Sequence, residues 1–347
     1  MADYWFNALL AAAAVTVETP VFGSTGVWVV DQDGSVITPV SSGMTLALSE
    51  PVGSGFPANR IYVYSGGRAI DASIRYWGYL FVSVGGVASS PVVDGGNLFI
   101  GSGGIAFDAS VLANKLYLRG GTASGVVLSG GTMLFESGVA QDVTISGGRL
   151  YVSSGGELTS ATVMSGGSLV VSSGGVARDT VVSSGGFQRV SSGGVARDTV
   201  LSSGGGFDVY VGGSVVGIVC LSGGTGQAQT GGTVANATIA GGRLNAASGG
   251  IVANPVVSRG LVYMYTSGLV SGGTVFSGGA VQGGGSAHGV TVSSGGSINL
   301  LTNAVGSSLT IASAGILLVN SGASALAVTS NAGAIVTVRS GGYIEYA

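Results

Sequence analysis

Two thirteen-residue segments, GGVARDTVVSSGG beginning at Gly174 and GGVARDTVLSSGG beginning at Gly193, are near-copies at a period of 19. Around them Gly-Gly pairs begin at 155, 166, 174, 185, 193, 204, 212, 223 and 231, at intervals that alternate between 11 and 8. With slips, the rhythm reaches back to Gly66 and forward through Gly241, Gly249, Gly260, Gly268 and Gly295 to Gly341, about 14 periods. A repeat of this length over so much of a chain is the fold itself, because one short unit cannot bury its apolar face alone. Helices are excluded: no segment shows a 3.6-residue apolar period, and glycine, which costs a helix roughly 1 kcal/mol relative to alanine, recurs throughout the repeats.

Each unit therefore holds two glycine corners and two unequal arms, and the arms read as strands. In the short arm RLYV (149–152), Leu150 and Val152 fall on one side and Tyr151 on the other. Stepping by 19 from Val152 gives Val171, Val190, Val209 and Ala228, a column of small apolar residues expected inside. Leu150, Leu169, Gln188 and Phe207 form its neighbour, and Tyr151, Val170, Arg189 and Asp208 the outer face. In the long arm, VTI at 143–145 and VTV at 290–292 place threonine outward, while TVV at 180–182 leaves the facing open. Stacked at about 4.8 Å, such arms satisfy each other's backbones and bury the valines. All arms run the same way in every turn, so the sheets are parallel and the coil is expected to be right-handed. Fourteen rungs would make a rod on the order of 70 Å long. Glycine at the corners supplies positive φ and close backbone approach. The fold predicted is an all-β, right-handed parallel β-helix (a solenoid) of 19-residue repeats over residues 58–347. Residues 1–57, which do not follow the rhythm and hold Trp5, Phe6, Phe22 and Trp28, are expected to form an N-terminal cap over the first open edge.

Composition narrows the function classes. Disorder needs low hydrophobicity and high net charge, whereas 46% of residues here are hydrophobic and the net charge is -3. Six prolines and no triplet period exclude collagen. Twelve Lys and Arg are scattered without a basic run, so no nucleic-acid partner is expected. No stretch approaches the roughly 20 apolar residues of a membrane span. WFNALLAAAAV (5–15) is too short for one, and with the first basic residue at Arg60 it is a poor export signal. The single cysteine, Cys220, reads as a small buried hydrophobe.

The units TVVSSGGFQRVSSGGVARDTVLSSGG resemble the 19-residue strand-loop-strand repeats of autotransporter passenger domains, in particular the AIDA-type adhesins. The likeness covers about 58–345 and is strongest between 137 and 300. It implies a β-helix that is secreted or held at the bacterial cell surface, with roles in adhesion, self-association and biofilm. Its partners would be a host or bacterial surface, or copies of itself. Several members are glycosylated on serines of these units by heptosyltransferases, and the matching positions are Ser154, Ser173, Ser184, Ser192 and Ser203. Two departures stand out: no convincing export signal, and no residues left for a translocator barrel. The chain is expected to be an excised passenger or a protein that borrowed the repeat.

Catalysis on a β-helix needs clustered carboxylates or basic residues on adjacent rungs. Arg178/Asp179 above Arg197/Asp198, and Arg189 beside Asp208, are the nearest approach, and they read as pairs that neutralise each other across rungs. His288, the one histidine, lies in the irregular GGGSAHGV and reads as a loop residue; without a Cys or acid nearby it makes neither a metal site nor a triad. GGGFDVYVGG does not recur, so a calcium-binding nonapeptide solenoid is not expected, and NAT at 236–238 is a triplet that arises by chance. Thr144, Thr180, Thr199 and Thr291, taken as outward, form columns too sparse to bind ice. The expectation is therefore no enzyme, no cofactor and no metal. The competing readings are a carbohydrate-active β-helix (lyase or tailspike-like), with Tyr263, Tyr265 and 270–290 as its best groove, and a self-assembling scaffold or filament subunit.

Overall fold

Two- to four-residue strands bury too little to stand alone, so each is stable only between its copies above and below. The computed structural model describes residues 60–63, 66–76 and 78–347, and before them the backbone of Val15–Val17, Gly26–Val30, Val36–Ser41 and Thr45–Leu48. Among the described residues there is no helix; parallel strands stack as a β-solenoid. The chain divides into two units, Met1–Leu169 and Val170–Ala347.

In the second unit each turn carries three strands, as in Phe187–Val190, Val195–Arg197 and Val200–Leu201. Each pairs in parallel with its copy at a step of 19: Phe187 with Gly206, Val195 with Ser214, Val200 with Val219. The step shortens to 18 at Thr233↔Ile251 and 17 at Leu269↔Ser286, then returns to 19 at Ser286↔Val305. These are the slips in the glycine rhythm. They are absorbed at corners, so the strands keep their facing.

The two-arm reading needs a correction, because the long arm is folded in two. Between its strands lies a third corner with positive φ, at Asp179 (51°), Asp198 (52°), Gly217 (75°), Asn236 (54°), Asn254 (50°), Gly272 (68°), Gly289 (63°), Ser308 (52°) and Ala327 (49°). All but Ala327 are residues that visit the left-handed region with least strain or can bond locally there. The first unit repeats the column at Asp71, Ser90, Asp108, Gly125, Asp142 and Ser160. Asp179 and Asp198 are thus backbone devices, and so is Asn236 of the NAT triplet.

The predicted interior is observed. Val152 and Leu150 in the first unit, and Val171, Val190, Val209, Ala228 and Phe207 in the second, are buried. The outer face reads Tyr151, Val170, Arg189 and Asp208, each half-buried or exposed. TVV at 180–182 resolves with Thr180 inside, and Thr199 follows it one turn later; both are 0% exposed. Taking these two as outward threonines is therefore wrong. In every described turn except the one at Gly272–Gly273 the residue after the third corner turns inward, and here that residue is threonine. Thr144 and Thr291 do lie on the outer side.

The double glycine divides its labour. At Gly212 φ is +71°, which the turn requires; a Cβ on Gly213 would come 2.7 Å from the Val190 carbonyl oxygen of the preceding rung. One glycine serves conformation and the other the close approach of stacked backbones.

In the first unit, longer strands run through the corners: Val92–Ile100, Ser110–Ser124 and Thr132–Ile145. Their parallel pairings shift register at the bends. The step falls from 19 at Arg60↔Tyr79 to 18 at Asn97↔Lys115 and 17 at Lys115↔Thr132. Gly26–Val30 pairs antiparallel with Arg60–Val63, and Thr45–Leu48 parallel with Arg68–Ile70. Apart from those two strands, Val15–Val17 and Val36–Ser41, residues 1–57, including Trp5, Phe6 and Phe22, lie outside the described residues.

Candidate functional site

The five serines singled out by sequence are all exposed at corners. Ser154 belongs to the first unit. In the second, Ser173 and Ser192 lie on adjacent rungs of one corner, where the Ser173 amide donates to the Ser192 carbonyl at 2.7 Å. Ser184 and Ser203 lie on adjacent rungs of the other, whose ladder continues from the Gly185 amide to the Gly204 carbonyl at 3.0 Å.

The same tetrapeptide, SSGG, makes two different turns. Ser154, Ser173 and Ser192 have φ of 51°, 48° and 21°, and the glycines after them 92°, 84° and 78°. Two consecutive positive φ values are the mark of a type I′ turn. Ser184 and Ser203 have ordinary φ, followed by Gly185 at 74° and Gly204 at 76°, the pattern of type II. Each turn is closed by a backbone bond, Gly194 to Ser191 at 2.9 Å in one and Gly186 to Ser183 at 2.7 Å in the other. Hydroxyls farther along the first corner are tied down: Thr230 Oγ1 donates to the Ser248 carbonyl at 2.8 Å, and Ser248 Oγ to the Thr266 carbonyl at 2.7 Å. Exposed serines that the sequence reading missed continue the second corner at Ser222, Ser277 and Ser294. Adding 19 to Ser203 would have found the first of them.

The candidate chemistry disperses. Among the described residues the ion pair within 4.0 Å is Arg119–Glu136, at 2.8 Å. The expected cross-rung pairs do not form. Arg189 packs its guanidinium over the rings of Phe187 (6.0 Å) and Tyr210 (5.4 Å), while Asp208 accepts from the Tyr210 hydroxyl at 3.2 Å. His288 is also corrected: it ends the strand Ser286–His288 and shares a 2.9 Å hydrogen bond between Nδ1 and Ser307 Oγ. Tyr263 meets Tyr265 edge-on at 4.9 Å and lies under Arg243, with no acid beside them, for residues 209–344 contain no Asp or Glu. Among the described residues no three of His, Cys, Asp and Glu come together as a metal site.

Cys220 is buried, as its column requires, and burial pushes its thiol up to about 12. Iodoacetamide at pH 8 is expected to leave the native chain unmodified and to alkylate it fully in urea; an adduct on the native chain by intact mass would contradict this. An unfolded thiol ionises near pH 9.0 while the buried one holds its proton to about 12, so its contribution to stability is lost as pH rises through that interval.

A second feature of the outer face has no counterpart in the sequence reading. In the first unit Tyr62, Phe81, Phe99 and Tyr117 stack on successive rungs, with centroids 4.7, 4.8 and 4.4 Å apart and interplanar angles of 9°, 16° and 2°. Arg60 lies 5.9 Å from the Tyr79 ring; Lys115 and Arg119 lie 6.0 and 5.6 Å from that of Tyr117.

Comparison with known proteins bears on the corners. A family profile described as "Adhesin of bacterial autotransporter system, probable stalk" matches residues 170–224, the stretch holding four of the five serines. A crystal structure of a TibC-catalysed, hyper-glycosylated TibA fragment superimposes with a TM-score of 0.63 at 32% identity, covering 87% of this chain and 97% of that one. No curated protein sequence matches the chain. Among the described residues no helix is long and apolar enough to cross a membrane.

Proposed function

Since the chain belongs to the AIDA-type autotransporter adhesin passengers, we propose that it is a surface-displayed adhesive module whose serine corners are sites of glycosylation. The observation that carries this reading is the exposure, in stacked corners, of Ser173, Ser184, Ser192 and Ser203 within the matched segment, with Ser154 in an equivalent turn of the first unit. An acceptor hydroxyl must reach a transferase active site, and a tight turn holds it clear of the sheet. Glycosylation of the TibA fragment supports the assignment of a heptosyltransferase as a partner of this chain too.

The role is structural and adhesive. Identical corners one rung apart offer many weak contacts, and avidity grows with the number engaged. We assign residues 1–57 to an N-terminal cap and 58–347 to the repeat domain; the antiparallel pairing of Gly26–Val30 on Arg60–Val63 supports this, since an edge so covered cannot take another strand.

Co-expression of the chain with a heptosyltransferase tests the site assignment. Intact mass is expected to show several heptose additions, and a chain with all five serines changed to alanine should carry up to five fewer. A mass unchanged by the transferase, or the same number of additions before and after the fivefold replacement, would sink it.

A further inference from the structure

We infer that the short-arm face of the unit Met1–Leu169 is a binding groove for an acidic polysaccharide, an inference that rests on the adhesive reading and names its ligand class. The groove, about 250 Å³, runs beside the stacked rings and is lined among others by Phe81, Ser83, Phe99, Tyr117 and Arg119. Rings stacked this closely and this nearly parallel turn their faces toward one another and their edges outward. An aromatic quadrupole is negative on the face and positive at the edge, so the row presents weakly electropositive edges. Around it stand Arg60, Lys115 and Arg119, and no carboxylate lines the groove. Arg119 is shared with Glu136 and still 55% exposed; Lys115 is exposed, with no ion pair among the described residues.

Three features select the occupant. The sign of the face calls for an anion. The recurrence of ring edges on four successive rungs, about 4.8 Å apart, with Arg60 on the first rung and Lys115 and Arg119 on the fourth, suits an extended polymer that carries several charges. A single-stranded nucleic acid would need free ring faces on which to stack its bases, and Phe81 and Phe99 spend theirs on each other. A second copy would meet this face with the same positive charge.

The test uses the whole chain and three probes: a heparin octasaccharide, a neutral dextran oligosaccharide of similar length and a thymidine oligonucleotide. Calorimetry is expected to show heparin binding, dextran silent and the oligonucleotide at least tenfold weaker than heparin. Phe99→Ala and, independently, the surface change Lys115→Glu should each weaken heparin at least tenfold. Because Lys115→Glu touches no core, it decides the matter should Phe99→Ala disturb the fold. No heparin binding, equal binding of dextran, a tighter oligonucleotide, or indifference to Lys115→Glu would overturn the inference. Beads coated with the chain and offered to epithelial cells separate the two readings. Adhesion without heparin binding removes the groove and leaves the adhesin; heparin binding without adhesion does the reverse.

Discussion

A chain carrying Phe207→Ala is expected to lose about 3–5 kcal/mol of stability, read as a lowered urea midpoint. Phe207 is 2% exposed and is one of the two largest side chains wholly inside the described core, with Phe135. Its ring spreads over the next rung, where its partner in register is Gly226. A Cβ on Gly226 would come 2.7 Å from Phe207 Cζ and nearer still to the ring atoms on that side. Large and small residues thus share one space, and the pair is expected to be coupled. Gly226→Leu alone should be at least as damaging as Phe207→Ala, since it overfills a packed site. Phe207→Leu with Gly226→Leu should recover most of the loss, because Leu244 shows that leucine fits the column one turn later. Additive effects in the cycle of Phe207→Leu, Gly226→Leu and the two combined would show that the two positions do not share space.

The opposite sign is expected at Thr180 and Thr199. Both hydroxyls are wholly buried and find no hydrogen-bond partner. A buried, unsatisfied polar group costs roughly 1–3 kcal/mol, and valine has the same shape without that burden. Thr180→Val and Thr199→Val should each raise the urea midpoint, with the double variant gaining about 2–6 kcal/mol. In the turns that follow, Ile218 and Ala237 occupy the column, so an apolar residue is what the site accepts. A midpoint unchanged or lowered in both single variants would mean that the hydroxyls are satisfied after all. Gln188, also buried with its Nε2 unpartnered, marks a third local cost in the same region.

Most of the architecture can be read in the residues. Val152, Val171, Val190 and Val209 repeat at 19 and are inside; the double glycines are corners for the two reasons that make a double glycine necessary. What escaped has physical causes. Among the described turns the third corner carries a double glycine at Gly272–Gly273 alone: elsewhere, Ala327 aside, aspartate, asparagine, serine or a single glycine takes the left-handed position, and beside an arginine, as in Arg178–Asp179, the aspartate looks like surface charge. The aromatic row lies where the step has shortened to 18, from Phe81 to Phe99 and again from Phe99 to Tyr117, so a fixed stride of 19 walks past it. As for the serines, spacing placed all five in exposed corners, yet nothing local separates the type I′ from the type II turns, because SSGG is the sequence of both.

Steps of 17, 18 and 19 all close the same three-cornered turn. Removing one residue within a strand exchanges inside for outside along that strand. Removing everything from one corner to the equivalent corner of the next turn leaves both new neighbours facing a rung built like the one they lost. A whole turn is therefore an edit such a chain can accept or discard while every remaining rung keeps a neighbour of its own kind, since each rung answers only to its neighbours. The near-identical segments at Gly174 and Gly193 have the form such a duplication leaves behind. By this logic the number of rungs is heritable and adjustable on its own, independently of what any one rung displays.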